Sequence, residues 1–81
     1  MRVKVKLFAV FRDIVGAKEE DLDIDPDTTV QQLLEQYISR FPQMDRFRDH
    51  IILSVNRDYG SPQRKIKEGD EVSFLPPVSG G

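Results

Sequence analysis

Val30, Leu33, Leu34, Tyr37, Ile38 and Phe41 stand at i, i+3, i+4, i+7, i+8 and i+11, which makes one apolar stripe along one helix. Thr29 with Gln32 supplies a capping box at its start. Pro42, with no N–H to donate and a ring that crowds the preceding turn, ends it. No other stretch has a helical period of this length. A lone long helix has to bury its stripe against a sheet, so the chain is constrained to a two-layer α+β domain.

The strands are read from period-2 spacing. Val3, Val5 and Leu7 alternate with Arg2, Lys4 and Lys6, which predicts a strand over residues 2–8 with one wet face. Val10, Phe11, Ile14 and Val15 then follow a helical spacing up to Gly16, a C-cap. A second strand is expected over 19–24, with Leu22 and Ile24 inward and the acids outward, closed by the turn Asp25-Pro26-Asp27. Residues 43–50 read as a charged connection with a helical turn presenting Met44 and Phe47. Residues 51–55 form a short strand, followed by turn residues Asn56, Asp58, Gly60 and Pro62. Ile66 belongs to a minor strand or packs from a loop. Glu68-Gly69-Asp70 turns the chain into a last strand over 71–75. The helix between the second and third strands can serve as the crossover that parallel pairing requires. The expected fold is therefore a ubiquitin-like β-grasp: a mixed sheet of four to five strands over residues 1–75, one main helix on one face, and a flexible tail over 76–81.

With 81 residues the core is small and there is no room for a deep cleft between lobes. The absence of Cys excludes a disulfide framework, a thiolate nucleophile, a zinc ribbon and an iron–sulfur cluster. One histidine, His50, makes no histidine metal cluster, and neither a metal nor a bound cofactor is expected. The net charge is −2, without the basic excess that displaces counterions from phosphates, so nucleic acid is not an expected partner. The longest wholly apolar run, Leu7 to Phe11, falls short of the ~20 residues of a spanning helix. No membrane association is expected, and the cytoplasm is the default location.

Charge is unevenly placed. Arg2, Lys4, Lys6 and Arg12 stand without an acid in residues 1–12, whereas 13–27 set Lys18 against Asp13, Glu19, Glu20, Asp21, Asp23, Asp25 and Asp27. Such a dipolar surface steers a protein partner or is simply a solvated face. Arg12 stays open between a partner contact and a solvated turn. His50 reads as a surface histidine, Tyr59 and Phe47 as anchors of the core or a loop. Asp70 and Glu71 are consecutive and so point to opposite faces; they are expected to end a turn and face water.

The tail Pro76-Pro77-Val78-Ser79-Gly80-Gly81 cannot lie inside a sheet. It is either a frayed end of small residues or a segment whose final carboxylate is the reactive group. Glycine suits the second reading, because a chain without Cβ passes through a narrow site and adopts the dihedrals found there. The two prolines would stiffen the base of the tail and reduce the entropy lost on threading. Six extended residues reach at most ~20 Å, enough to enter a neighbouring protein. A carboxylate is a poor electrophile, so its first step would be adenylation by a separate ATP-using enzyme.

Leu7-Phe8-Ala9, Arg12-Asp13, Val15-Gly16, Val55-Asn56, Glu68-Gly69-Asp70-Glu71-Val72 and Phe74-Leu75-Pro76-Pro77-Val78-Ser79-Gly80-Gly81 resemble the small subunit of molybdopterin synthase. The resemblance implies a sulfur carrier that is not an enzyme on its own. Gly81 would be adenylated with ATP by an activating enzyme and converted by a sulfur donor to a thiocarboxylate. The tail would then enter the large synthase subunit and deliver sulfur to a cyclic pterin precursor. Phe74, Leu75, Pro76, Pro77, Val78, Ser79 and Gly80 would contact both partners. That family often has a second aromatic where this chain has Leu75. Other readings of the same tail are a ubiquitin-like modifier joined through Gly81 to lysines, a carrier for thiamine or tRNA thiolation, and an interaction domain with an inert end. An apolar patch is expected beside the last strand.

Overall fold

The computed structural model describes residues 1–77; Val78, Ser79, Gly80 and Gly81 lie outside the described residues. In chain order the elements are β1 (Arg2–Leu7), α1 (Val10–Val15), β2 (Glu19–Asp23), α2 (Val30–Arg40), a 3-10 helix over Pro42–His50, β3 (Ile52–Val55), β4 (Asp58–Tyr59) and β5 (Glu71–Leu75). The strands make one mixed sheet in the order β2-β1-β5-β3-β4. β1 and β5 are parallel; the other neighbours are antiparallel. With α2 across one face, this is the β-grasp that the element order predicts.

Alternation fixes which face is buried. Val5 pairs with Val72, Leu7 with Phe74, Leu53 with Phe74 and Val55 with Val72, so the apolar residues of three strands share a face. Val30, Leu33, Leu34, Tyr37 and Ile38 of α2 lie against them, each 7% exposed or less. The capping box forms as expected: Thr29 Oγ1 accepts from Gln32 N at 3.1 Å, and Gln32 Oε1 accepts from Thr29 N at 2.9 Å.

Four expectations are corrected. The short fifth strand is Asp58–Tyr59, in a stretch read from the sequence as turn residues, and of the two readings of Ile66 it is packing from outside a strand that holds. Asn56 and Arg57 both have positive φ, 52° and 72°, which makes the two-residue reversal whose twist suits a tight hairpin. Ile66 packs from an extended segment, its N–H donating to Thr28 O at 2.9 Å, and is 2% exposed. Residues 42–50, expected to be a connection with a helical turn, are 3-10 helix throughout, with Met44 buried and Phe47 edge-on to Phe11 at 5.4 Å. Asp70 does not face water. The turn at Gly69 (φ +84°) brings its carboxylate back to accept from Lys67 N at 2.8 Å and from Asn56 Nδ2 at 3.0 Å, leaving it 8% exposed.

The fourth correction concerns the acids of β2. Glu20 shares the inner parity with Leu22 rather than pointing outward. It accepts from the Tyr37 hydroxyl at 2.5 Å and lies 3.5 Å from Arg40, whose guanidinium sits over the Tyr37 and Phe41 rings. Burial, then the bond to Glu20, pushes the Tyr37 hydroxyl pKa well up. The edge strand is thereby fastened to the helix.

Candidate functional site

β5 is the central strand, held on one side by β1 and on the other by β3. The chain therefore leaves the sheet at half-buried Pro76 and exposed Pro77 from the middle of one end, not from an edge. The local geometry at that end decides what surrounds the base of the tail.

Period-2 spacing separates two adjacent residues of β5. Phe74 is fully buried, with its ring centroid 5.4 Å from that of Tyr37. It was expected among the partner contacts; its inward parity makes it core instead. Leu75, on the opposite parity, stands directly across from Ile52 on the face away from α2. Both are half-buried.

On the β1 side the outward series Arg2, Lys4 and Lys6 runs on to Phe8, which is 42% exposed. Leu7 pairs with Phe74, so the next residues, Phe8 and Leu75, lie side by side. A tight turn then reverses the chain: Phe11 N donates to Phe8 O at 3.0 Å, with the geometry of a type II′ turn.

 Ala9, the first central residue of that turn, has φ 50° and ψ −123°. The reversal leaves Phe8 on the outer face and sends Phe11 into the core.

On the other side, Tyr59 of β4 pairs with Ser54, two residues along β3 from Ile52 on the same face, and is 87% exposed. It was expected to anchor the core or a loop; outward parity on a two-residue edge strand leaves it nothing to pack beneath. The hairpin that carries it is tied to β5 by Asn56, whose Oδ1 accepts from Glu71 N at 3.0 Å and whose Nδ2 donates to Asp70. Phe8, Leu75 and Ile52 thus form an apolar row across the end of the sheet where the tail begins, with Tyr59 on the same face one step back, in register with Ser54 and Ser73. This is the apolar surface expected beside the last strand.

Arg12 is exposed and lines a depression next to Phe8. Val78, Ser79, Gly80 and Gly81, the remaining expected site residues, lie outside the described residues. Sequence reasoning missed Phe8 and Ile52 as site residues. Phe8 had a visible signal, an aromatic on the parity otherwise held by Arg2, Lys4 and Lys6. Ile52 had none, because the run Ile51-Ile52-Leu53 does not alternate. Among the described residues no group of three or more His, Cys, Asp or Glu side chains is placed to hold a metal ion. No helix among them is long and apolar enough to cross a membrane.

The family model described as the ThiS family matches residues 5–81. The chain belongs to the ThiS family. The molybdopterin synthase sulfur carrier subunit of Chlamydomonas reinhardtii is 35% identical over 83 residues, covering 100% of both chains. The subunit of that name from Homo sapiens is 30% identical, covering 99% of this ThiS-family chain and 94% of its own length. Among solved structures, the small archaeal modifier protein 1 of H. volcanii is 27% identical with a TM-score of 0.83, covering 95% of this chain and 98% of its own.

Proposed function

We propose that this ThiS-family chain is a sulfur carrier of molybdenum cofactor biosynthesis, the small subunit of molybdopterin synthase rather than a catalyst in itself. The observation that carries the reading is full-length likeness to relatives that bear the name of that subunit. The sequence end and the apolar row around its base supply the chemistry.

In this reading a carboxylate oxygen of Gly81 attacks the α-phosphorus of ATP on an activating enzyme, and pyrophosphate leaves. Sulfide-level sulfur from a donor then attacks the acyl carbon and displaces AMP, which leaves a thiocarboxylate. Pro76 and Pro77 stiffen the exit from β5, while Ser79 and Gly80 keep the last residues slender. Leu75, with Phe8 and Ile52 beside it and Tyr59 one step back, gives the large subunit an apolar surface to cover while Val78 to Gly81 enter it. The large subunit holds the groups that pass the sulfur to the pterin.

Intact mass spectrometry tests this. After incubation with ATP, the activating enzyme and a sulfur source, the mass is expected to rise by the replacement of one oxygen by sulfur, localised to Gly81. Full sulfur transfer by a protein lacking Gly81 would sink the proposal. A second reading, conjugation to lysines through the same adenylated carboxylate, is favoured by the likeness to small archaeal modifier protein 1. Lysine adducts in cells bearing a tagged copy would support it.

A further inference from the structure

Arg12 and Lys18 are the cations of the sheet's outer corner that have no ion-pair partner among the described residues. Every outward cation of β1 is matched: Arg2 with Asp23 at 3.0 Å, Lys4 with Glu19 at 3.2 Å and Lys6 with Glu71 at 3.1 Å. The corner is shaped as well as charged. Lys6, Leu7, Phe8, Arg12, Lys18 and Glu19 line an open depression of about 270 Å³. Its acid, Glu19, is occupied by Lys4, and its third cation, Lys6, by Glu71. Asp13, beside Arg12 on α1, makes no ion pair with it. A guanidinium and an ammonium thus remain uncompensated around a half-exposed aromatic ring.

We propose that the depression between β1, α1 and the start of β2 receives Asp or Glu side chains of the large synthase subunit, with Arg12 and Lys18 as their partners. The inference rests on the sulfur-carrier reading and adds the charge of the surface that meets it. Two observations select protein carboxylates over other anions. The depression is continuous, through Phe8, with the apolar row of Leu75 and Ile52, which a folded protein covers and a free anion does not. The acid-rich segment from Asp13 to Asp27 and the net charge of −2 oppose a polyanion such as nucleic acid. Arg12 offers the planar fork that suits a carboxylate, and Lys18 a mobile point charge.

The arrangement also sets orientation. An acidic rim on the partner is drawn to the Arg12 corner and repelled by Asp21 and Asp25 further along the chain. Exposed charges of this kind act more on the rate of encounter than on residence time, and salt screens them.

The test compares wild type with the double variants R12E/K18E and R12Q/K18Q for binding to the purified cognate large subunit at ~50 mM and ~500 mM salt. The charge reversal is expected to slow association about tenfold at low salt, with the neutral variant in between and all three converging at high salt. Both side chains are exposed, so unchanged circular dichroism and melting are the expected controls. Equal association of wild type and R12E/K18E at low salt, or a loss that salt does not alter, overturns this inference alone. Failure of the wild type itself to bind the large subunit overturns the carrier reading and this inference with it.

Discussion

Ala9 holds the one described backbone conformation that is both non-glycine and at the turn beneath Phe8, with φ 50° and ψ −123°. A Cβ in that region costs of order 1–3 kcal/mol, while glycine would give up about 0.4–1 kcal/mol through a freer unfolded chain. Strain relief is the larger effect. Ala9→Gly is therefore expected to stabilise the fold by about 1 kcal/mol in chemical denaturation, and an unchanged or lower midpoint would show that the turn is not strained. The neighbouring Phe8 shows what a single residue reveals in advance. Its outward parity was legible from β1, but its exposure depended on a turn whose first central position holds Ala where glycine would have announced the geometry.

At the level of elements, α2 was legible because its cap and stripe are local to its own sequence. The 3-10 helix and β4 were not. A two-residue strand has no period to read, and its reversal uses Asn56-Arg57 in place of the Asn-Gly pair that marks such hairpins. The 3-10 helix is held in part by a contact with α2, outside its own sequence. Arg48 bonds to Asp45 at 2.9 Å and to Glu35 of α2, and Gln31 Nε2 donates to the same Glu35 carboxylate at 2.7 Å. The hydrogen bond from Arg48 outweighs the opposing effect of burial and, with a smaller contribution from Gln31, holds Glu35 below its ordinary pKa of 4.5. A carboxylate with a lowered folded pKa lends its stability in full above the unfolded value and loses it as pH falls through the folded one. The stability difference between wild type and Glu35→Gln should thus be constant above about pH 4.5 and shrink in more acid solution. A difference that does not change with pH would show that Glu35 lends no charge-dependent stability.

Across the whole molecule the sheet has one face sealed by α2 and one open face, and adjacent residues of β5 separate them. Phe74 is sealed against Tyr37 and Leu75 is turned outward. Phe74→Ala is expected to cost about 3–5 kcal/mol, a large part of the stability of so small a domain. Tyr59→Ala, at a side chain 87% exposed, should leave melting within about 0.5 kcal/mol of wild type while weakening capture by the large subunit. A Tyr59→Ala protein that melts early would place the ring in the fold rather than in docking. The β-grasp and its buried face were legible from alternation and a single helix stripe. Which strand ends carry the exposed row was not, because that depends on register between strands far apart in sequence.

The tail continues from β5, which lies between two neighbours with four residue pairs in each ladder. A pull on the tail therefore runs along the strand and strains both ladders in shear, so their rungs resist together. An edge strand pulled sideways would instead peel, one bond at a time. A force that loads both ladders at once is therefore expected to leave the body of the domain folded.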